Sequence, residues 1–214
     1  MALSYKTRLI TLHFMRQYKS MPMFENPLLE KFSHVHPIVP LVLWLPVVGY
    51  CLWKAASNPT ITVVEILSFF IAGVVTWTLA EYCLHRFLFH WNADSKIGKR
   101  IVFIFHGIHH DDPNDWTRLV MPPVPAIFLA VIFFSLFQVI FGVPKVFPFF
   151  SGFILGYLAY DYIHYATHHF KPRTAFGRYL KQNHMLHHFS HKGEKWGVSS
   201  PLWDFVFGTY LPKK

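Results

Sequence analysis

The sequence predicts an all-α integral membrane protein that crosses the bilayer four times and gathers its histidines on one membrane face. Three observations lead there. The 214-residue chain is 53% hydrophobic and 19% aromatic but only 14% charged, whereas soluble domains carry about 25% charged residues; its mean hydropathy is +0.29. Four apolar runs approach the length of about 20 residues that a spanning helix needs. Eleven of the fifteen histidines fall in four short clusters between His85 and His188, at or beyond the ends of those runs.

Residues 1–36 form a basic arm, set apart from a membrane domain over residues 37–214. Leu9, Ile10, Leu12, Phe14 and Met15 alternate loosely with Lys6, Arg8, Arg16 and Lys19. That pattern is open to an interfacial helix on the headgroups or to an unstructured arm, and Pro22 and Pro27 end any helix there. The first span is expected at residues 37–53, short and with three prolines. The second, residues 61–84, has Glu65 and Glu81 as its only acids. The third, residues 124–143, carries no charge, and the fourth, residues 146–163, is apolar until Asp161. Short turns at 54–60 and 144–145 pair the spans as two hairpins.

Charge bias orients them. Eighteen of the twenty Lys and Arg lie in residues 1–36, in 85–123 and after 163; Lys54 and Lys145 alone lie in the opposite turns. The positive-inside rule places both termini and every histidine cluster in the cytoplasm, of a bacterial inner membrane or an endoplasmic reticulum alike. The formal net charge of +9 follows from this topology. No basic stripe accompanies a recognition motif, so no nucleic-acid partner is expected. Cys51 and Cys83 sit in apolar runs outside any C-x-x-C pattern, which leaves neither a thiolate metal set nor a disulfide framework. No signal-peptide layout is present at the N-terminus.

The histidine clusters read HRFLFH (85–90), HGIHH (106–110), HYATHH (164–169) and HMLHH (184–188). Imidazole is the commonest side-chain ligand of transition metals. Residues three or four apart share a helix face. His106 therefore pairs with His109 or with His110, while His109 and His110 diverge, so one helix can serve two neighbouring metals. His184, His187 and His188 repeat this, and His164 converges with His168. His169 points away from both. His85 and His90, five apart, share a site only where the helix ends or bends. Ten rings without His169 suffice for two metals with about five nitrogens each, too many for one tetrahedral zinc. Asp111, Asp112, Asp115, Asp161 and Asp204 are potential acceptors for the second ring N–H. Plainer roles also suit them: a helix stop before Pro113, or a turn cap at Asp204. An apolar setting suggests a lipid substrate. Oxidising an unactivated C–H bond is cofactor chemistry, and imidazole suits iron; iron is expected for activity, with zinc a possible bound species. Hydrolysis by zinc-bound water and a histidine-rich metal transporter are the other classes these residues allow.

The runs EYCLHRFLFH, FHGIHHDDPNDWTRLVMPP, YDYIHYATHH, NHMLHHF and WGVSSPLWDFVFGT resemble the fatty acid hydroxylase superfamily, and within it the fatty acid 2-hydroxylases. The likeness covers roughly residues 60–211. It implies four transmembrane helices under a cytosolic helical cap that holds a dinuclear metal site, and insertion of one oxygen atom from O₂ at C2 of a fatty acid or sphingolipid acyl chain. It implies metal-ligand roles for His85, His90, His106, His109, His110, His164, His168, His184, His187 and His188; His169 matches the pattern without an assigned role. No catalytic group separate from these ligands is expected. The HYATHH cluster and the PLWDFVFGT segment favour the 2-hydroxylase branch over sterol or carotenoid hydroxylases and desaturases. Many eukaryotic relatives carry a cytochrome b5 domain marked by His-Pro-Gly-Gly. Here the sole His-Pro, His36-Pro37, is followed by Ile38. A separate electron donor such as cytochrome b5 or ferredoxin is therefore expected. A site just above the membrane exit would meet the polar end of an acyl chain first. Phe87, Phe89, Trp91, Tyr157, Tyr160, Tyr162 and Tyr165 are placed to line the chain's path or to form an interfacial belt.

Overall fold

A computed structural model describes residues 20–189 and 194–210; the amphipathic pattern from Lys6 to Lys19 lies outside them. Every regular element among the described residues is helical. α1 (Pro27–Ser33) starts where the Asn26 side chain accepts hydrogen bonds from the backbone N–H groups of Leu28 and Leu29, the usual service of an N-cap asparagine. Among the described residues, four helices are long and apolar enough to cross a membrane. They are α2 (Ile38–Ala56), α3 (Val63–Cys83), and, after two short helices, α6 (Pro123–Phe141) and α7 (Val146–His169). The short ones are α4 (Lys96–Val102) and α5 (Ile108–Asp111). α8 (Ala175–Phe189) and α9 (Leu202–Val206) complete the chain. α4, α5, α8 and α9 lie outside the spanning helices, and α5 and α8 carry the histidines that meet those at the ends of α3 and α7.

Local sequence explains the boundaries. Thr62 and Glu65 open α3 with a reciprocal capping box: the Thr62 hydroxyl accepts from the Glu65 N–H, and the Glu65 carboxylate accepts from the Thr62 N–H,. Gly142 ends α6 at φ +65, a conformation that glycine adopts without a Cβ clash, and α7 begins four residues later. Lys145 in that turn reaches Glu65 at 3.6 Å. The expected spans appear with one instructive difference. The fourth helix does not stop at residue 163 but runs unbroken to His169, because the following Tyr-Ala-Thr-His-His has no breaker. The apolar run marks only part of the helix.

α7 is the central helix. Of its most apolar 18-residue window, 72% is buried within the protein, against 11–28% for the other three. Glycines make this possible. A Cβ on Gly152 would lie 1.9 Å from the Phe70 carbonyl oxygen of α3, and one on Gly73 would lie 2.0 Å from the Phe149 carbonyl oxygen of α7. Gly156, one turn further, receives the Trp77 ring. Small residues four apart let two helix backbones meet where lipid gives no hydrophobic drive for association. Around this contact Trp77 packs edge-on against Phe153 and Tyr157, and Phe137 of α6 against Phe149 and Phe153.

Candidate metal centre

The ten imidazoles arrive from two stretches of the sequence, residues 85–110 and 164–188. At the end of α3 the helix widens into a π-helical turn, Leu84–Phe89. The His90 N–H bonds the His85 carbonyl at 3.2 Å, an i→i+5 closure of the π type. Two histidines five apart, which diverge on an α-helix, are thereby brought to one side. A second π-helical turn, Phe103–Gly107, carries His106 into α5, which bears His109 and His110. α7 supplies His164 and His168 from its last turns, and α8 supplies His184, His187 and His188.

These rings form two groups of five. His85, His90, His106, His110 and His187 make one; His109, His164, His168, His184 and His188 make the other. Within each group the facing nitrogens all lie within 4.8 Å of one another. The division cuts across the clusters. His106 pairs with His110, and His184 with His188, while His109 and His187 cross to the neighbouring group. The groups adjoin where His110 stacks on His188, ring centroids 4.1 Å apart. His169 belongs to neither; its ring lies 4.8 Å from Tyr165, and its Nε2 is buried without a hydrogen-bond partner.

The spacing fits a bound cation. Neighbouring Nε2 atoms are 3.1 Å apart in His85–His106, His106–His110 and His90–His187. They are 2.9 Å apart in His109–His164, 3.0 Å in His109–His188 and 2.8 Å in His168–His184. Ligand nitrogens at right angles around a centre about 2.05 Å away would be about 2.9 Å apart. Five Nε2 atoms aimed at one point cannot satisfy each other by hydrogen bonding, since each neutral ring has a single N–H; a metal ion satisfies all five. Burial also keeps the rings in the ligating, neutral form. It drives His90 down to about 4, His188 to about 3 and His110 to about 2, with the charge of neighbouring rings adding to the effect. His106, His109 and His184 are pushed well below the ordinary histidine value for the same reasons.

Comparison with known proteins now decides the family. The fatty acid hydroxylase profile matches residues 70–209. The chain belongs to the fatty acid hydroxylase family. A dihydroceramide fatty acyl 2-hydroxylase of Arabidopsis thaliana, FAH1, is 39% identical over 169 residues, covering 78% of this chain and 70% of the plant protein. The ceramide very long chain fatty acid hydroxylase SCS7 of Saccharomyces cerevisiae is 40% identical over 195 residues, 90% of this chain and 50% of the yeast protein. Human fatty acid 2-hydroxylase is 34% identical over 212 residues, covering 90% of this chain and 57% of its own length. This chain thus spans 70% of the plant relative but only 50–57% of the yeast and human ones. The solved structure of full-length scs7p, with only its hydroxylase domain visible, superposes with a TM-score of 0.84 at 40% identity, covering 90% of this chain and 73% of that one.

In this fatty acid hydroxylase the second ring nitrogens do not go to carboxylates. Among the described residues, no hydrogen bond joins any of the five aspartates to an imidazole. His85 Nδ1 meets the Trp196 carbonyl at 2.5 Å and His187 Nδ1 meets the Glu194 carbonyl at 2.9 Å. Asp204 instead accepts from the N–H groups of Trp196 and Gly197. Asp112 accepts from Met21, Asp115 accepts from Thr117, and Asp111 is exposed. Asp161 is buried, with Oδ2 lacking a partner. Glu81 escapes a reading based on histidine and aspartate: it is buried and holds the N–H groups of Val198 and Ser199. Its signal in the sequence is an acid inside an apolar span, four residues and one helical turn before His85.

Beside the histidines lies a largely apolar cavity of about 630 Å³, reached by His106, His109 and His164 and walled by residues such as Phe24, Phe32, Phe105 and Met121. That is a size typical of small-molecule sites. Of the aromatics expected near the path, Phe89 and Tyr160 line this cavity. Phe87 and Trp91 are exposed, as in an interfacial belt. Tyr162 instead donates to the Pro37 carbonyl, and Tyr165 packs on His169. α1 closes one wall, held by Arg118. That guanidinium bonds Glu30 at 2.5 Å, Ser33 at 3.1 Å and His34 at 3.0 Å.

Proposed function

We propose that this protein is a membrane-bound, O₂-dependent monooxygenase that hydroxylates C2 of a fatty acid or of a sphingolipid acyl chain. One observation carries the proposal: two five-imidazole groups stand at the lining of an apolar cavity large enough for a lipid chain. The names of the relatives supply the regiochemistry. The ten grouped histidines are the metal ligands, five to each ion, with iron the working metal and zinc a possible substitute. Bound iron supplies the redox chemistry that oxidation of an unactivated C–H bond requires.

The chain's own residues do the rest. Apolar walls take the acyl chain out of water. His106, His109 and His164 fix where the cavity meets the metals, and so which carbon is oxidised. A site at headgroup depth receives the polar end of the substrate first, which favours C2 over mid-chain carbons. The C2–H bond breaks and a C2–OH bond forms with one atom of O₂. The second atom leaves as water, using two protons and two electrons from a separate donor such as cytochrome b5 or a ferredoxin. Residues 37–214 make up the hydroxylase domain, with 1–36 as its basic arm. Both termini and the metal site face the cytoplasm, as the Lys and Arg distribution directs.

Replacing one ligand in each π- or α-helical support tests the assignment. His106→Ala or His187→Ala is expected to lower the metal content of purified protein and abolish 2-hydroxy lipid in expressing cells. Full activity in a metal-depleted His106→Ala/His187→Ala double variant contradicts the proposal.

A further inference from the structure

Five consecutive backbone N–H groups, those of residues 195–199, are all committed. Lys195 donates to the Thr209 carbonyl at 3.2 Å. Trp196 and Gly197 donate to the two carboxylate oxygens of Asp204, each at 2.8 Å. Val198 and Ser199 donate to one oxygen of Glu81 at 2.7 and 2.8 Å, and the Ser199 hydroxyl donates to the other. Glu81 reaches this strap from α3 and Asp204 from α9; they are 3% and 0% exposed. A buried carboxylate is costly unless it is fully hydrogen-bonded, and the strap provides those bonds.

The strap's carbonyls serve the histidines. Trp196 accepts from His85 Nδ1 and Glu194 from His187 Nδ1. Each bond holds the proton on Nδ1 and leaves Nε2 bare for a metal. Between the two accepting residues, Lys195 takes φ +62, a region that few non-glycine residues occupy. Gly197 has no room for a side chain, since a Cβ would lie 2.0 Å from the Ser200 carbonyl oxygen. Among the described residues the other group has no such support. Of the ten grouped imidazoles, only His85 and His187 bond a protein group through Nδ1 among the described residues. In the second group Nδ1 of His184 and of His188 is buried without a partner.

We propose that Glu81 and Asp204 are positioning residues for one metal and not the other. By fixing the strap they hold His85 and His187, so the site of His85, His90, His106, His110 and His187 retains its ion longer than the site of His109, His164, His168, His184 and His188. This rests on the reading of the ten rings as ligands of two metals.

The test uses the full-length protein in detergent, loaded with zinc, which is redox-silent. Total zinc is measured by mass spectrometry and its release to an excess of chelator is followed in time. Two zinc ions per chain are expected, leaving in two phases of equal amplitude, one at least about tenfold slower, because loss of outer-shell partners typically weakens metal binding by about 10- to 100-fold. His184→Ala removes the fast phase. Glu81→Gln and Asp204→Asn accelerate the slow phase by roughly 10- to 100-fold and leave the fast one in place. Ser199→Ala, which removes one bond to Glu81, accelerates the slow phase less. Single-phase release from the unmodified protein overturns the proposal, as does a slow phase unmoved in these variants when their helical content matches the unmodified protein. Fewer than two zinc ions per chain overturns the two-metal reading itself, and this proposal with it.

Discussion

At the residue scale, the centre depends on buried histidines that stay neutral. Burial holds His90, His110 and His188 far below the ordinary value of about 6.5,. When the pH falls below about 6.5, the unfolded chain takes up protons on these rings while the folded chain does not. The unfolded state then binds more protons, so stability decreases as pH falls. For metal-free protein the thermal unfolding midpoint is expected to be level above about pH 7 and to drop progressively towards pH 4. A midpoint unchanged down to pH 5 contradicts the burial. Motif and spacing make the ten positions legible in the sequence, together with the separateness of His169. Spacing alone leaves His106 free to pair with His109 or His110. The pairing with His110 depends on how α5 and α8 face each other. The carbonyl partners at Glu194 and Trp196 were not legible, because a backbone acceptor has no residue type that announces it.

At the element scale, spans were legible from apolar length, but their contacts were not. Composition shows four runs without showing that α7 is the one buried on most sides. Gly73, Gly152 and Gly156 carry that information, and its meaning appears only when the facing carbonyls of Phe70 and Phe149 are known. Gly152→Leu is expected to force α3 and α7 apart at a cost of about 3 kcal/mol or more, and so to lower the unfolding midpoint and zinc content together. Gly49, with open space around it, serves as the control: Gly49→Leu should leave both unchanged. Equal behaviour of the two variants would rule out the close helix contact as the organiser of the bundle. The π-helical turn at Leu84–Phe89 is the other feature hidden from pattern reading. The five-residue spacing of His85 and His90 looks unsuited to one site until the helix widens by one residue.

At the scale of the whole molecule, two helical hairpins carry the histidine-bearing segments to one end, so clusters separated by up to about a hundred residues of sequence meet in one cap. In the proposed topology, eighteen of the twenty Lys and Arg belong to the segments on the histidine side,. A reporter enzyme fused after Lys214 is expected to be active only on the cytoplasmic side, and one inserted in the turn at residues 54–60 only on the opposite side. The reverse pattern would invert the topology. The central claim is that O₂ supplies an oxygen atom to C2 of an acyl chain held beside two histidine-bound metals. Its most direct test supplies membranes containing the protein with ¹⁸O₂, an electron donor and a lipid whose acyl chain is deuterated at C2, followed by mass spectrometry of the products. The expected product gains one ¹⁸O and loses one deuterium at C2. Loss of two hydrogens without label, or ¹⁸O at any other carbon, would contradict it.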